Sequence, residues 1–145
     1  MSVSSDDLNR VVRTIWATQL GLVLEDADLE EVEALLADGE VVAIAVQLSG
    51  DYTGVLVQRC SRSVSLVAAA SAFTTTGNDL EASDLRDALS ELAHMTAGNL
   101  KSLLPGRCDV SITTRVDRDP PHGEKVASAG FTLEGEPLVV TLVEE

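Results

Sequence analysis

Basic residues are scarce in this 145-residue chain: 10 Lys and Arg stand against 24 Asp and Glu, a net charge of −14. Binding along a phosphate backbone needs clustered Lys and Arg, so nucleic acid is not an expected partner. Aromatic residues are scarcer still, one Trp, one Tyr and two Phe, which leaves base stacking little to work with. The two cysteines, Cys60 and Cys108, are far apart and form no C-x-x-C motif. They read as reduced core thiols of a cytosolic protein. Neither stands at zinc-ligand spacing from His94 or His122, so no metal site is expected. No apolar run approaches the ~18 residues of a membrane span. Met1 to Asp7 has neither the basic stretch nor the apolar run of a secretory signal. A cytoplasmic protein away from membranes is the expectation.

Hydrophobic residues are plentiful, at 45% of the chain, which excludes a disordered acidic tail. A chain of this length buries roughly 68–70% of its unfolded surface, enough for a single domain over 1–145. Ser4-Ser5-Asp6-Asp7 predicts a helix start, since short polar side chains cap free N–H groups and acids suit the positive dipole end. Leu8, Val11, Val12 and Ile15 follow at helical spacing up to a stop at Gly21. The acidic stretch Asp26 to Glu40 reads as a short helix or an ordered connector. Val41 to Leu48 and Thr53 to Cys60 predict a β-hairpin, and Ser61 or Ser63 caps a helix towards Phe73. Thr74 to Gly77 breaks it.

Asn78-x-x-Glu81 has capping-box spacing, with Ser83-Asp84 as an alternative start, and opens a long helix to about Leu104 before Pro105-Gly106. Val110 to Val116 alternates like a half-exposed strand, Asp117 to Lys125 reads as a loop, and Val126 to Leu133 with Leu138 to Val143 forms a second hairpin. The long apolar Leu138 to Val143 strand looks suited to edge pairing. One α/β (α+β) domain results, about three helices packed on a largely antiparallel sheet of about five strands.

The long helix carries the most information. At 100° per residue, Leu85, Leu89, Leu92, Thr96, Leu100 and Leu103 form one stripe, with Ala88 and Asn99 flanking it. The opposite side gathers Asp87, Glu91, His94, Gly98 and Lys101. A polar outer face is ordinary, yet two details depart from a face selected for stability. Glu91 has no basic residue three or four positions away, and Asp87 at i−4 repels it, at a cost of a few tenths of a kcal/mol. Gly98 sits mid-helix on the exposed face, about 1 kcal/mol worse than Ala. Together they leave Glu91 free for a cation on another molecule and let something approach the backbone at Gly98.

The stretch Asp87-Ala-Leu-Ser-Glu91-Leu-Ala-His94-Met-Thr-Ala-Gly98-Asn99 resembles the signature helix of the CheC/CheX/FliY chemotaxis phosphatases, Asp/Ser-x-x-x-Glu-x-x-Asn followed by Gly-Asn. Thr14 to Leu22 resembles the family's N-terminal helix and its Leu-Gly-Leu exit, and Leu48 to Val57 resembles its first hairpin. The order of elements matches from about residue 8 onwards, and one motif copy is visible, as in CheX. The resemblance implies a CheX-like fold and hydrolysis of the aspartyl phosphate of a CheY-like receiver domain. It implies that Glu91 pairs with the receiver's lysine, that Asp87 holds the acidic position one turn earlier, and that Asn99 serves packing. Any Mg²⁺ would belong to the receiver rather than to this chain, and relatives that dimerise through their sheets imply a homodimer.

His94 stands where the family has its water-positioning Asn. A carboxamide offers a donor and an acceptor at any pH, a neutral imidazole offers one of each, and an imidazolium has no acceptor left. Glu91, three residues away, could pair with His94 and favour its protonated form. Three outcomes are open: a slower or pH-dependent phosphatase, a catalytically dead receiver-binding adaptor, or a helix that has lost both roles. A phosphohistidine route is disfavoured, because no orienting carboxylate stands near His94 beyond Glu91. A structural subunit related to flagellar-switch components is a further, weaker alternative. His122 in Pro-Pro-His-Gly reads as a loop residue.

Overall fold

The computed structural model describes residues 3–73, 79–111, 114–115 and 123–144. Helix α1 spans Ser5–Leu20 and starts as its sequence dictates: Ser4 caps it, its Oγ accepting from the Asp7 N–H at 3.0 Å while Asp7 Oδ2 accepts from the Ser4 N–H at 3.1 Å. Gly21 ends it at φ 68°, a left-handed conformation that glycine reaches without Cβ strain. A two-residue strand β1 (Glu25–Asp26) and helix α2 (Leu29–Ala37) resolve the acidic stretch. The first hairpin is β2 (Val41–Gly50) and β3 (Gly54–Ser61), and α3 (Arg62–Phe73) follows, with Ser61 Oγ accepting from the Val64 N–H at 3.2 Å.

The long helix α4 spans Ala82–Leu100, which at 1.5 Å per residue is about 28 Å. A 3₁₀ turn over Lys101–Leu103 closes it. Short strands β4 (Cys108–Val110) and β5 (Thr114–Arg115) precede the hairpin β6 (Glu124–Leu133) and β7 (Glu136–Glu144). Glu134 and Gly135 turn this hairpin with φ 52° and 81°, both positive as a two-residue type I′ turn requires.

All strand pairs are antiparallel, and the order is β1-β6-β7-β3-β2-β4, with β5 on β2 beside β4. Period-two alternation sorts the sheet into two faces. Ile44, Val46, Leu48, Leu56, Leu138, Val140 and Leu142 meet α1, α3 and α4 in the main core. On the other face Val139 packs with Val32 and Leu36 of α2. There Arg59, with only 8% of its side chain exposed, donates to Glu33 Oε1 at 2.5 Å and ties α2 to β3.

The class expected from sequence holds, with α2 as a fourth helix, β1 as a short addition, and β5 inside the strand expected over Val110 to Val116. Three details change. The expected edge strand is interior: β7 pairs with β6 on one side and β3 on the other. Its residues are buried on both faces, which explains why it is apolar throughout. Glu124 and Lys125 belong to β6 rather than to a loop. Helix α4 begins at Ala82 behind Glu81, whose N–H donates to Asp84 Oδ2 at 2.8 Å, and its α-helical part stops at Leu100. Asn78 of the expected capping box, the Thr74 to Gly77 break, His122, and residues 112, 113 and 116 of the strand expected over Val110 to Val116 lie outside the described residues.

Cys60 and Cys108 are free and buried. Burial pushes the Cys60 thiol up to about 12, so it stays protonated and behaves as a small apolar side chain. No helix among the described residues is long and apolar enough to cross a membrane.

Candidate functional site

Helix α4 is fixed by its inner stripe. Leu85, Leu89, Leu92, Thr96 and Leu100 are each no more than 3% exposed, and Leu103 packs against the same core from the 3₁₀ turn. With that stripe buried, the 3.6-residue period turns Asp87, Glu91 and Gly98 outward, all exposed, and leaves His94 half-buried. Lys101 is exposed but sits on the 3₁₀ turn, a step beyond the α-helical face. Four of the five outer residues expected from the sequence, Asp87, Glu91, His94 and Gly98, are therefore brought to one side of α4, with Lys101 on the turn that follows.

The side chains of Asp87, Glu91, His94 and Lys101 make no hydrogen bond or ion pair among the described residues, whose ion pairs involve α1 and α2. The Glu91–His94 pair considered from the sequence is thus not formed among the described residues, where Glu91 is exposed and His94 half-buried. A Cβ at Gly98 would meet nothing within 4 Å, so no contact inside the chain demands glycine there. Asn99 is exposed, and its Nδ2 donates to the Met95 carbonyl at 2.8 Å, a bond within its own helix rather than a packing contact.

Two grooves among the described residues lie away from this side of α4. One of about 480 Å³ runs beside α1 and is lined by Arg10, Arg13 and Val23, and one of about 250 Å³ lies between α2 and the sheet at Arg59 and Thr141. Neither is lined by an outer residue of α4. Small-molecule sites are concave and enclose their ligand, whereas the exposed side of one helix suits a macromolecular surface. No cluster of three metal-ligating side chains occurs among the described residues.

One side chain beneath α4 and one ion pair on the other face of the sheet were not anticipated. Gln58, on β3, lies beneath α4 with its Nε2 3.3 Å from the Leu89 carbonyl, and its Oε1 has no partner among the described residues. An unmet buried acceptor costs about 1–3 kcal/mol. Its signal was in the sequence: under period two Gln58 shares a face with Leu56 and Cys60, so a polar side chain stands at an inward position. The Arg59–Glu33 pair had no such signal, because nothing in the spacing predicts that α2 packs over β6 and β7 within reach of Arg59.

Residues 42–129, more than half of the chain, match the family model described as chemotaxis phosphatase CheX. The chain belongs to the CheX family. The CheX fold extends beyond that match. The chain is similar to chemotaxis protein CheX from Vibrio vulnificus, at 15% identity over 97% of this chain and 95% of that one, TM-score 0.76. A CheC-like superfamily protein from Shewanella sp. PV-4 gives 15% identity over 100% and 99%, TM-score 0.74. A chain of the CheX–CheY–BeF3–Mg complex from Borrelia burgdorferi gives 16% identity over 99% and 98%, TM-score 0.73. At these identities the solved structures speak for the fold. No curated protein matches the chain by sequence.

Proposed function

We propose that this chain lays the outer side of α4 on the receiver domain of a CheY-like response regulator and hydrolyses its aspartyl phosphate. Glu91 pairs with the receiver's lysine, Asp87 and Lys101 contact its rim, and the open backbone at Gly98 lets the receiver come close. A water held by neutral His94 attacks phosphorus: the new O–P bond forms as the aspartyl O–P bond breaks, releasing inorganic phosphate and the free carboxylate. Phosphoryl transfer gains mostly from positioning and charge placement, so a helix presenting two side chains is enough machinery. The Mg²⁺ of the reaction is the receiver's. The observation that carries this reading is Glu91, an exposed carboxylate without a partner on the family's signature helix. The Borrelia burgdorferi neighbour, a CheX–CheY complex, lends support to a receiver as the partner.

The decay of each phosphorylated receiver encoded near this gene, followed with and without the protein, tests the reading. Acceleration in the wild type and its loss, by about tenfold or more, in Glu91→Ala are the expected results; a factor of ten corresponds to about 1.4 kcal/mol of lost interaction. Histidine at position 94 favours one second reading, a receiver-binding adaptor without catalysis. In that case wild-type protein binds the receiver but leaves its decay unchanged, and His94→Asn raises the rate. Equal decay with no binding removes both readings.

A further inference from the structure

Around Gln58 the sheet surface under α4 is apolar. Its register partners Ile44 on β2 and Val140 on β7, and its same-face neighbours Leu56 and Cys60, all belong to the main core. Gln58 itself is 1% exposed, yet it keeps a carbonyl oxygen without a partner. A leucine or methionine would fill this place without that penalty, so stability alone does not account for a glutamine. What the side chain does find is the carbonyl of Leu89, which lies on α4 between Asp87 and Glu91. That carbonyl is also the helical acceptor for the N–H of residue 93, the position before His94. One turn further, Thr96 Oγ1 donates to the Leu92 carbonyl at 2.8 Å, again fully buried. Two inner carbonyls beneath the Glu91–His94 turn therefore carry an extra bond, and the one at Leu89 is anchored in the sheet.

We propose that Gln58 is a positioning residue that sets how far α4 is advanced and rotated on the sheet, and hence where Glu91 and His94 point. The functional part of this inference rests on the receiver-phosphatase reading. Apolar contact is non-directional and tolerates a small slide or roll of a helix, whereas a hydrogen bond with a preferred distance and angle does not. On a rigid strand paired on both sides, Gln58 gives α4 one fixed point of attachment close to the acting residues. A misplacement of the order of 1 Å at such a site costs as much as about a hundredfold in rate.

Gln58→Met and Gln58→Leu test this in the full chain by thermal unfolding, amide hydrogen exchange along α4, and steady-state receiver dephosphorylation. The expected result is a melting temperature equal to or above that of the wild type, faster exchange at residues 91–95, and a kcat lowered about three- to tenfold with KM changed less than twofold. Wild-type exchange and turnover in a stable variant overturn the proposal. So does unfolding of both variants, or an activity loss no larger than the unfolded fraction, since each is the mark of an ordinary core residue. If the wild type acts on no receiver, the functional reading fails by itself, and the exchange at residues 91–95 still decides whether Gln58 holds α4 in place.

Discussion

Helices α1 and α4 lie on the same side of the sheet and enter the same core, yet they treat their outer charges in opposite ways. On α1, Arg10 pairs with Asp7 at 3.0 Å, Arg13 reaches Asp26 at 3.7 Å, and Asn9 Nδ2 donates to the same Asp26 at 3.0 Å. On α4, Asp87, Glu91, His94 and Lys101 have no such partner among the described residues, and Gly98 occupies a position where a methyl group would meet nothing. Helix α1 shows how this chain ties down an acid near a helix start: Asp7 accepts from the Ser4 N–H and pairs with Arg10. Exposed acids elsewhere, such as Glu30 and Glu31 of α2, also lack a partner among the described residues. What sets α4 apart is that Asp87 and Glu91 share one side with His94 and the open backbone at Gly98.

If the contrast is confined to the outer sides, the inner sides must be equivalent. Trp16 on α1 and Leu89 on α4 are both 0% exposed. Trp16→Ala is expected to cost about 3–5 kcal/mol and Leu89→Ala about 2–5 kcal/mol, measured by urea unfolding. A much cheaper loss at Leu89 would show that α4 is loosely held and that its outer side does not owe its arrangement to the core beneath.

The next effect is smaller and separates the helix starts from the site. Ser4→Ala removes the cap of α1 and is expected to cost about 1 kcal/mol of stability while leaving receiver dephosphorylation unchanged. The same cap has a pH signature. The backbone N–H of Ser4, above all, holds the Asp7 carboxyl below its ordinary value, with the Ser4 hydroxyl and Arg10 adding to the effect. A depressed carboxylate contributes stability that is complete above the ordinary 3.8 and is lost as the pH falls through the lower folded value. Asp7→Asn should lack that part of the acid dependence, whereas Ser4→Ala keeps the backbone N–H and should lose only the smaller share due to the hydroxyl. An identical acid profile in Asp7→Asn would remove the cap as its source.

Much of this could be seen in the chain before the fold. Capping, periodicity and turn chemistry are local, so Ser4, Gly21, the two hairpins and the two sides of α4 follow from neighbours in sequence. What escaped depends on residues distant along the chain. The apolar run of β7 fits an exposed edge or an interior strand equally well until β3 is seen pairing with it across about 80 positions of sequence. The Gln58–Leu89 bond spans 31 positions, and no periodicity brings those two residues together. The identities of Asp87, Glu91, His94 and Gly98 were legible because they share one helix. Their lack of internal partners was not, since spacing within α4 says nothing of what other elements bring near.

The smallest expected effect is also the most discriminating, because its sign differs between the two properties measured. Gly98 is helical, exposed, and free of any contact that an added Cβ would disturb. Gly98→Ala should therefore stabilise the protein by about 0.5–1 kcal/mol, through helix propensity and a less flexible unfolded chain. If the open backbone exists so that a receiver can approach it, the same methyl group should weaken receiver binding, and a larger side chain at that position should weaken it further. Binding by isothermal titration and stability by urea unfolding would then move in opposite directions along the series Gly, Ala, Leu. A series in which stability rises and binding is untouched would place the receiver elsewhere on α4, and the contrast with α1 would reduce to Glu91 and its neighbours.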